Sequence, residues 1–279
     1  MAAALDAIAR RWPDAHSDSP QDPVFVLAAG WRSGSTWVQR GLMTSGQIVI
    51  WGEPYCHGQI VQGLAQQVLA FDNEEWPFDE WIVSDPDPVK LADAWSANAY
   101  PALPRLLAAH RMFLTTLFEP GAPDPRVRRW GLKEVRLGME HARYLKWVFP
   151  KARFVFLIRN PYRSYQSYRR WGSWYFRWPE HLVATPRQFG RMWATLTRGF
   201  LAEHRAVGGV LMMYEELKKD PHRWQELSEY LDLDLSRAAD AKEINLTGRS
   251  ARPIPSIELR LLEREVAEVA AGLGYRPER

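Results

Sequence analysis

The segment from Val24 to Ser45 constrains this chain more than any other. An apolar run, Val24-Phe25-Val26-Leu27-Ala28-Ala29, passes into Gly30-Trp31-Arg32-Ser33-Gly34-Ser35-Thr36-Trp37, and helical spacing follows from Val38. An unbroken apolar run ending in a Gly-rich turn reads as a strand buried on both faces, the form strands take in a parallel sheet. A strand, a Gly/Ser turn and a helix N-terminus make an anion site, because free backbone N–H groups and the positive end of the helix dipole converge on one spot. Gly30 and Gly34 let the backbone come close to a phosphate-like group. Arg32 adds a planar fork of donors, and Ser33, Ser35 and Thr36 add hydroxyls. A Ser/Gly turn that holds no ligand is the competing explanation, since Gly-rich turns between strand and helix also have a purely mechanical use.

The loop departs from the nucleotide-hydrolysis pattern, in which the second glycine is followed by Lys and then Ser or Thr. Here Ser35 follows Gly34, and the positive charge sits ahead of the glycine at Arg32. This arrangement resembles the 5′-phosphosulfate loop of the sulfotransferases. Arg-Ser-Gly-Ser-Thr is most similar to the carbohydrate and tyrosyl-protein branches, whereas Trp37 is similar to the cytosolic branch. A second block, Arg153-Phe-Val-Phe-Leu-Ile-Arg-Asn-Pro, runs from an apolar strand into Arg159-Asn160-Pro161 and a helix, with proline at the position where its fixed φ suits a helix start. The family's 3′-phosphate motif is Arg-Asn-Pro with a serine eight residues after the arginine, and Arg159 and Ser167 have that separation. A solvated basic helix would explain Arg163, Arg169 and Arg170, but not Arg-Asn-Pro at a strand tip. Arg163 stands where the family usually has an acid.

A third block, Val210-Leu-Met-Met-Tyr-Glu-Glu-Leu217, resembles the family's strand ending in Tyr-Glu-Asp-Leu. The resemblance makes Tyr214 the neighbour of an adenine ring, with Trp37 stacking on its other side; burial as packing aromatics is the alternative for both. Arg249 and Arg252, in Asn245-Leu-Thr-Gly-Arg-Ser-Ala-Arg252, fall where the family closes over the 3′-phosphate, although its Arg-Lys-Gly triplet is absent.

What the resemblance implies is a donor, 3′-phosphoadenosine 5′-phosphosulfate (PAPS), a product, adenosine 3′,5′-bisphosphate (PAP), and transfer of the sulfuryl group to an acceptor. Two anion sites at two strand ends suit a nucleotide carrying phosphate-like groups at opposite ends. Sulfuryl transfer depends on positioning and on stabilising charge at the leaving oxygen. The monoanionic sulfuryl group does not require a divalent metal, and no metal site is expected. Lys133, in Trp130-Gly-Leu-Lys-Glu-Val-Arg-Leu137, falls where the family places its charge-stabilising lysine, with Arg32 sharing the task. A strand-end surface lysine is the alternative.

The acceptor's proton needs a base. The cytosolic branch uses a histidine two residues after that lysine, where this chain has Val135. The carbohydrate and tyrosyl-protein branches use a glutamate after the second strand, which points to Glu53, 21 residues after Arg32 and directly after Ile48-Val-Ile-Trp-Gly52. An apolar aromatic setting (Trp51, Tyr55) suits a carboxylate that must take up a proton. His57 and Glu134 are the reserves, and a helix-capping role is the alternative for Glu53.

Composition bounds the rest. The chain has 279 residues, 46% of them apolar, enough for one sizeable α/β core, and its formal charge of +3 fits a local anion site better than a nucleic-acid surface. One cysteine, Cys56, excludes an intrachain disulfide and suggests a reducing compartment. Neither a signal peptide nor an apolar stretch of bilayer length stands out. The expectation is a bacterial cytoplasmic enzyme, monomer or homodimer, with a small-molecule, natural-product or carbohydrate acceptor and no nucleic-acid or membrane partner.

Residues 1–21 read as a polar lead-in and residues 22–279 as one α/β domain, a parallel sheet flanked by helices with a P-loop-like sulfotransferase fold. Strands are expected at 24–28, 47–51, 130–135, 153–158 and 209–214. Helices are expected at 35–46, 57–71, 101–117, 138–149, 161–171, 187–206, 222–231 and 256–271. The aromatic segments 71–82 and 171–181 are expected to face the acceptor, with 173–186 as a lid. Two other functional readings stand beside the sulfotransferase: a P-loop kinase, which would want a lysine at position 35 and a magnesium-binding aspartate at a strand end, and a nucleotide-binding module without turnover.

Overall fold

The computed structural model describes residues 1–55, 58–72, 77–94, 99–121, 124–169, 183–241 and 253–277. In chain order its elements are α1 (Ala2–Arg11), β1 (Val24–Ala28), α2 (Ser35–Met43), β2 (Ile48–Gly52), α3 (Ile60–Leu69), β3 (Ile82–Val83), α4 (Pro88–Ala92), β4 (Tyr100–Pro101), α5 (Leu103–Phe118), β5 (Arg129–Glu134), α6 (Met139–Val148), β6 (Arg153–Ile158), α7 (Pro161–Tyr168), α8 (Pro186–Glu203), β7 (Val210–Met213), α9 (Tyr214–Lys219), α10 (Pro221–Leu231) and α11 (Ser256–Gly272). These fall into two compact units.

The larger unit (23–58, 120–139, 153–279) carries a five-stranded sheet in the order β2-β5-β1-β6-β7. Every pairing is parallel, with Val26 opposite Lys133 and Val155, Gly52 opposite Lys133, and Ile158 opposite Met213. The central strand β1 is buried at all five positions, whereas edge strand β2 is exposed at Trp51 and Gly52. That contrast is why β1 reads as a continuous apolar run. Phe25 meets Trp130 edge-on at 6.0 Å and Phe154 at 5.4 Å, and Phe156 meets Phe200 at 4.8 Å, so the core lies along β1 and β6.

The helices start on local chemistry. Asn160 caps α7, accepting from the N–H of Tyr162 at 2.9 Å, and Pro161 stands at the first turn. Thr185 and Gln188 form a reciprocal capping box on α8. Asp220 caps α10, with Pro221 next to it.

The smaller unit (1–22, 59–119, 140–152) is mainly helical, with a short parallel pair β3–β4. Ala4, Ala7 and Ile8 form the buried face of α1, and Trp12 meets Phe71 edge-on at 5.6 Å. A polar chain runs outward from the core of this unit: Tyr144 and His110 Nδ1 are 3.0 Å apart, and His110 Nε2 and Oε1 of the exposed Gln67 are 3.2 Å apart.

All five expected strands of the main sheet are present. The reading of 1–21 as a lead-in missed α1, whose apolar positions recur at helical spacing over only ten residues before Pro13. Gln59 has φ +48, a left-handed turn that puts the start of α3 at Ile60 and not at 57. The last expected strand stops at Met213, and Tyr214 opens a helix with acids in its first turn and lysines in its last, matching its dipole. No helix among the described residues is long and apolar enough to cross a membrane.

Candidate active site

The carboxyl edge of the sheet gathers most of the residues singled out by motif. Because β1, β5, β6 and β2 run parallel, the loop after β1, the ends of β5 and β6 and the turn after β2 all emerge at one edge, where ligands bind in open α/β sheets. Arg159 Nη1 donates to the backbone oxygen of Arg32 at 2.9 Å, and Arg32 Nε donates to Ser167 Oγ at 2.9 Å. These bonds, which span 127 and 135 positions in sequence, tie the two motifs into one structure. The sequence placed Arg159 and Ser167 on one phosphate; in the fold Ser167 also anchors Arg32.

Gly34 caps α2 in the left-handed region, φ +85, and a Cβ there would land inside the van der Waals surface of the Tyr214 ring. Arg159 sits over the same ring, 4.5 Å from its centroid. Tyr214 is thereby clasped between the first loop and the second. Trp37 meets Tyr214 edge-on at 5.6 Å and Trp224 at 5.3 Å, and its indole N–H donates to Ala241 O at 3.1 Å. With 7% exposure, Trp37 has the surroundings of a packing anchor for α2 rather than of an open platform for a base.

Polar groups here lack partners. The N–H groups of Ser33, Gly34, Ser35 and Thr36 find no hydrogen-bond acceptor among the described residues. Ser33 Oγ and Arg159 Nε are buried with none either. Buried donors without acceptors are costly and rare in proteins. These two buried atoms, beside the row of N–H groups that opens α2 and the Arg32 guanidinium, fit a phosphate or sulfate group.

A charge cluster occupies the ends of β2 and β5. Glu53 N–H donates to Lys133 O at 2.8 Å, extending the β2–β5 ladder by one residue, and Lys133 Nζ is hydrogen-bonded to Glu53 Oε1. Lys133 is only 3% exposed, so it is not a strand-end surface lysine. Glu53 and Arg32 both hold left-handed backbones, φ +46 and +64. For residues with a Cβ this costs about 1–2 kcal/mol each, and such strain tends to gather at functional sites. Trp51 and Tyr55 are 42% and 68% exposed, so the expected aromatic enclosure of Glu53 is not there: edge strand β2 leaves those rings in solvent, and the neighbour of the carboxylate is Lys133.

Glu134, one residue on, takes a different partner. It is buried and paired with Arg136, whose Nη2 donates to Oε1 at 3.0 Å. Burial raises its pKa, and the Arg136 guanidinium opposes that rise. Arg136 escaped the sequence reading; its spacing two residues after an acid carries no signal, because only the end of β5 turns it back onto Glu134. Glu215 also escaped: its Oε1 accepts the N–H of Asn160 at 3.1 Å. His57, Arg249, Arg252 and the segment 171–181 lie outside the described residues, as do 73–76 within 71–82. Of that last segment, Phe78 packs edge-on against Trp81 at 4.8 Å in the smaller unit.

The family model of the "Sulfotransferase family" matches residues 23–237. Among solved structures, the sulfotransferase domain of the olefin synthase from Synechococcus PCC 7002 is 16% identical, with TM-score 0.48 over 94% of this chain and 98% of that one. The sulfotransferase domain from the curacin biosynthetic pathway is 16% identical, with TM-score 0.44 over 92% and 99%. A sulfotransferase from Alicyclobacillus acidocaldarius is 14% identical, with TM-score 0.47 over 92% and 98%. No curated protein matches the chain. The matched span contains the Arg32 loop, the Lys133 strand, the Arg159 motif and Tyr214, and the chain belongs to the sulfotransferase family.

Proposed function

We propose that this protein moves the sulfuryl group of PAPS to the hydroxyl of a small-molecule, natural-product or carbohydrate acceptor. The observation that carries this reading is the pair of bonds joining Arg159 to the Arg32 loop and Arg32 to Ser167. They put two cationic cradles on neighbouring strands, β1 and β6, with orphaned donors in both. The N–H groups of residues 33–36 and the Arg32 guanidinium hold the 5′ end of the nucleotide, and Arg159 with Ser167 holds the 3′-phosphate. Tyr214 borders the base. Arg249 and Arg252 belong to the same 3′ cradle under this reading.

The donor supplies the sulfuryl group and departs as PAP. Glu53 takes the acceptor's proton. Lys133 and Arg32 offset the negative charge that grows on the leaving oxygen. The contact between Lys133 and Glu53 keeps the base and the stabilising cation adjacent before substrates arrive, so the buried ammonium is not left alone. Both glutamates are paired with a cation, but Glu134 is shut in against Arg136 with 6% of its side chain exposed, whereas Glu53 keeps 25% open to an acceptor, which favours Glu53 as the base. A kinase reading finds less support, because Ser35 occupies the place of the P-loop lysine and β6 is followed by Arg159-Asn160 where a magnesium-binding aspartate would be wanted.

Calorimetry with PAP against ATP plus magnesium tests the nucleotide, and labelled PAPS with phenol, sugar and nucleoside acceptors tests transfer. Binding of PAP with sulfation of at least one acceptor is the expected result. A strict preference for ATP overturns the donor assignment, and PAP binding without transfer to any acceptor reduces the protein to a nucleotide-binding module.

A further inference from the structure

The C-terminal end of α11 returns to the Arg159 motif. The helix ends at Gly272, and Gly274 has φ +73. The N–H of Gly274 donates to Ala271 O at 3.0 Å and the N–H of Tyr275 donates to Ala270 O at 2.8 Å, a helix-closing turn that needs a residue free to be left-handed. That turn aims Tyr275 at α9. Its hydroxyl donates to Glu215 Oε2 at 2.9 Å and lies 3.6 Å from Met213 Sδ. The other carboxylate oxygen, Oε1, accepts the N–H of Asn160 at 3.1 Å.

Glu215 is thus an acid inside a cradle built for an anion. It adjoins Tyr214, over whose ring Arg159 lies at 4.5 Å, and it holds the residue next to Arg159. A carboxylate in this place can serve the site or compete with the ligand for the guanidinium. We propose that Tyr275 is a positioning residue: by occupying one oxygen of Glu215 while Asn160 occupies the other, it keeps that carboxylate off Arg159 and leaves the guanidinium for the nucleotide's 3′-phosphate. The proposal rests on the nucleotide reading given above. Burial, and next to it the Glu215 charge, raises the pKa of Tyr275, so the hydroxyl stays a proton donor at neutral pH.

The test is calorimetry with PAP and with adenosine 5′-phosphate, which lacks the 3′-phosphate, on the full chain and on Tyr275→Phe, Glu215→Gln and the double variant. Tyr275→Phe is expected to weaken PAP binding about tenfold and to leave adenosine 5′-phosphate unchanged. Adding Glu215→Gln removes the competing charge and is expected to restore PAP affinity to within about twofold. A merely structural role for Tyr275 would not be rescued by a second change. Wild-type PAP affinity in Tyr275→Phe, equal loss of both ligands, or a double variant as weak as Tyr275→Phe overturns the proposal. If the unaltered protein binds the two nucleotides equally, the 3′-phosphate cradle itself is wrong and the proposal falls with it.

Discussion

Replacing Gly34 by alanine tests the junction of the two cradles. At φ +85 an alanine pays a left-handed penalty of about 1–2 kcal/mol. Its methyl also enters the Tyr214 ring, which is buried and fixed between Trp37 and Arg159. Forcing extra volume into a packed site costs about 1–3 kcal/mol. The sum is about 2–5 kcal/mol, read by urea unfolding. The two contributions separate in a Tyr214→Ala background: with the ring gone, the clash vanishes and only the backbone penalty of about 1–2 kcal/mol remains. PAP affinity is expected to fall with Gly34→Ala, because the ring that must move is the one under Arg159. Stability within about 0.5 kcal/mol of wild type, or an equal cost in both backgrounds, would refute the claim that Gly34 exists to admit Tyr214.

Four further outcomes are expected. Glu53→Gln should lower turnover about 10²–10⁴-fold while PAP affinity holds, and near wild-type single-turnover rates would remove Glu53 as the base. Lys133→Ala should cost about 10²–10³ in kcat; a change in KM alone would show that it only binds donor. Arg136→Met strands the buried Glu134 carboxylate and should destabilise by about 3–5 kcal/mol, and equilibrium unfolding that shifts by less than 1 kcal/mol would show that the pair is not needed. Stability should also fall in acid: burial depresses the pKa of His110 and brings that of His141 down from 6.5 to about 4. The unfolded chain binds these protons first, so the stability present above pH 6.5 is lost as pH drops toward 4, by up to about 3 kcal/mol for His141. Urea midpoints measured at pH 7 and pH 5 on the unaltered chain and on His141→Gln check this, and a pH effect that the substitution leaves unchanged would contradict it.

Contiguity is what made parts of this protein readable in one dimension. Strand β1 and, from Phe154 on, strand β6 are buried on both faces, so each is an apolar run, and each is followed by one of the motifs, Arg32 to Thr36 and Arg159 to Ser167. Helix α7 begins where Asn160 and Pro161 dictate, whatever surrounds it. Local rules therefore set the sheet, the order of the motifs and the chemical character of the site. Pairing across distance was another matter. That Lys133 touches Glu53, 80 residues away, that Arg136 folds back on Glu134, and that Tyr275 reaches Glu215, 60 residues earlier, depend on strand order and on how a helix end turns. Trp37 illustrates the limit. The sequence offers an aromatic ring beside a Gly/Ser loop, and only the approach of Tyr214 and Trp224 turns it into packing. Side-chain type is written residue by residue, but which side chains meet is set by the burial of the sheet, since a strand brings its end to the site only when its neighbours on both sides have covered it.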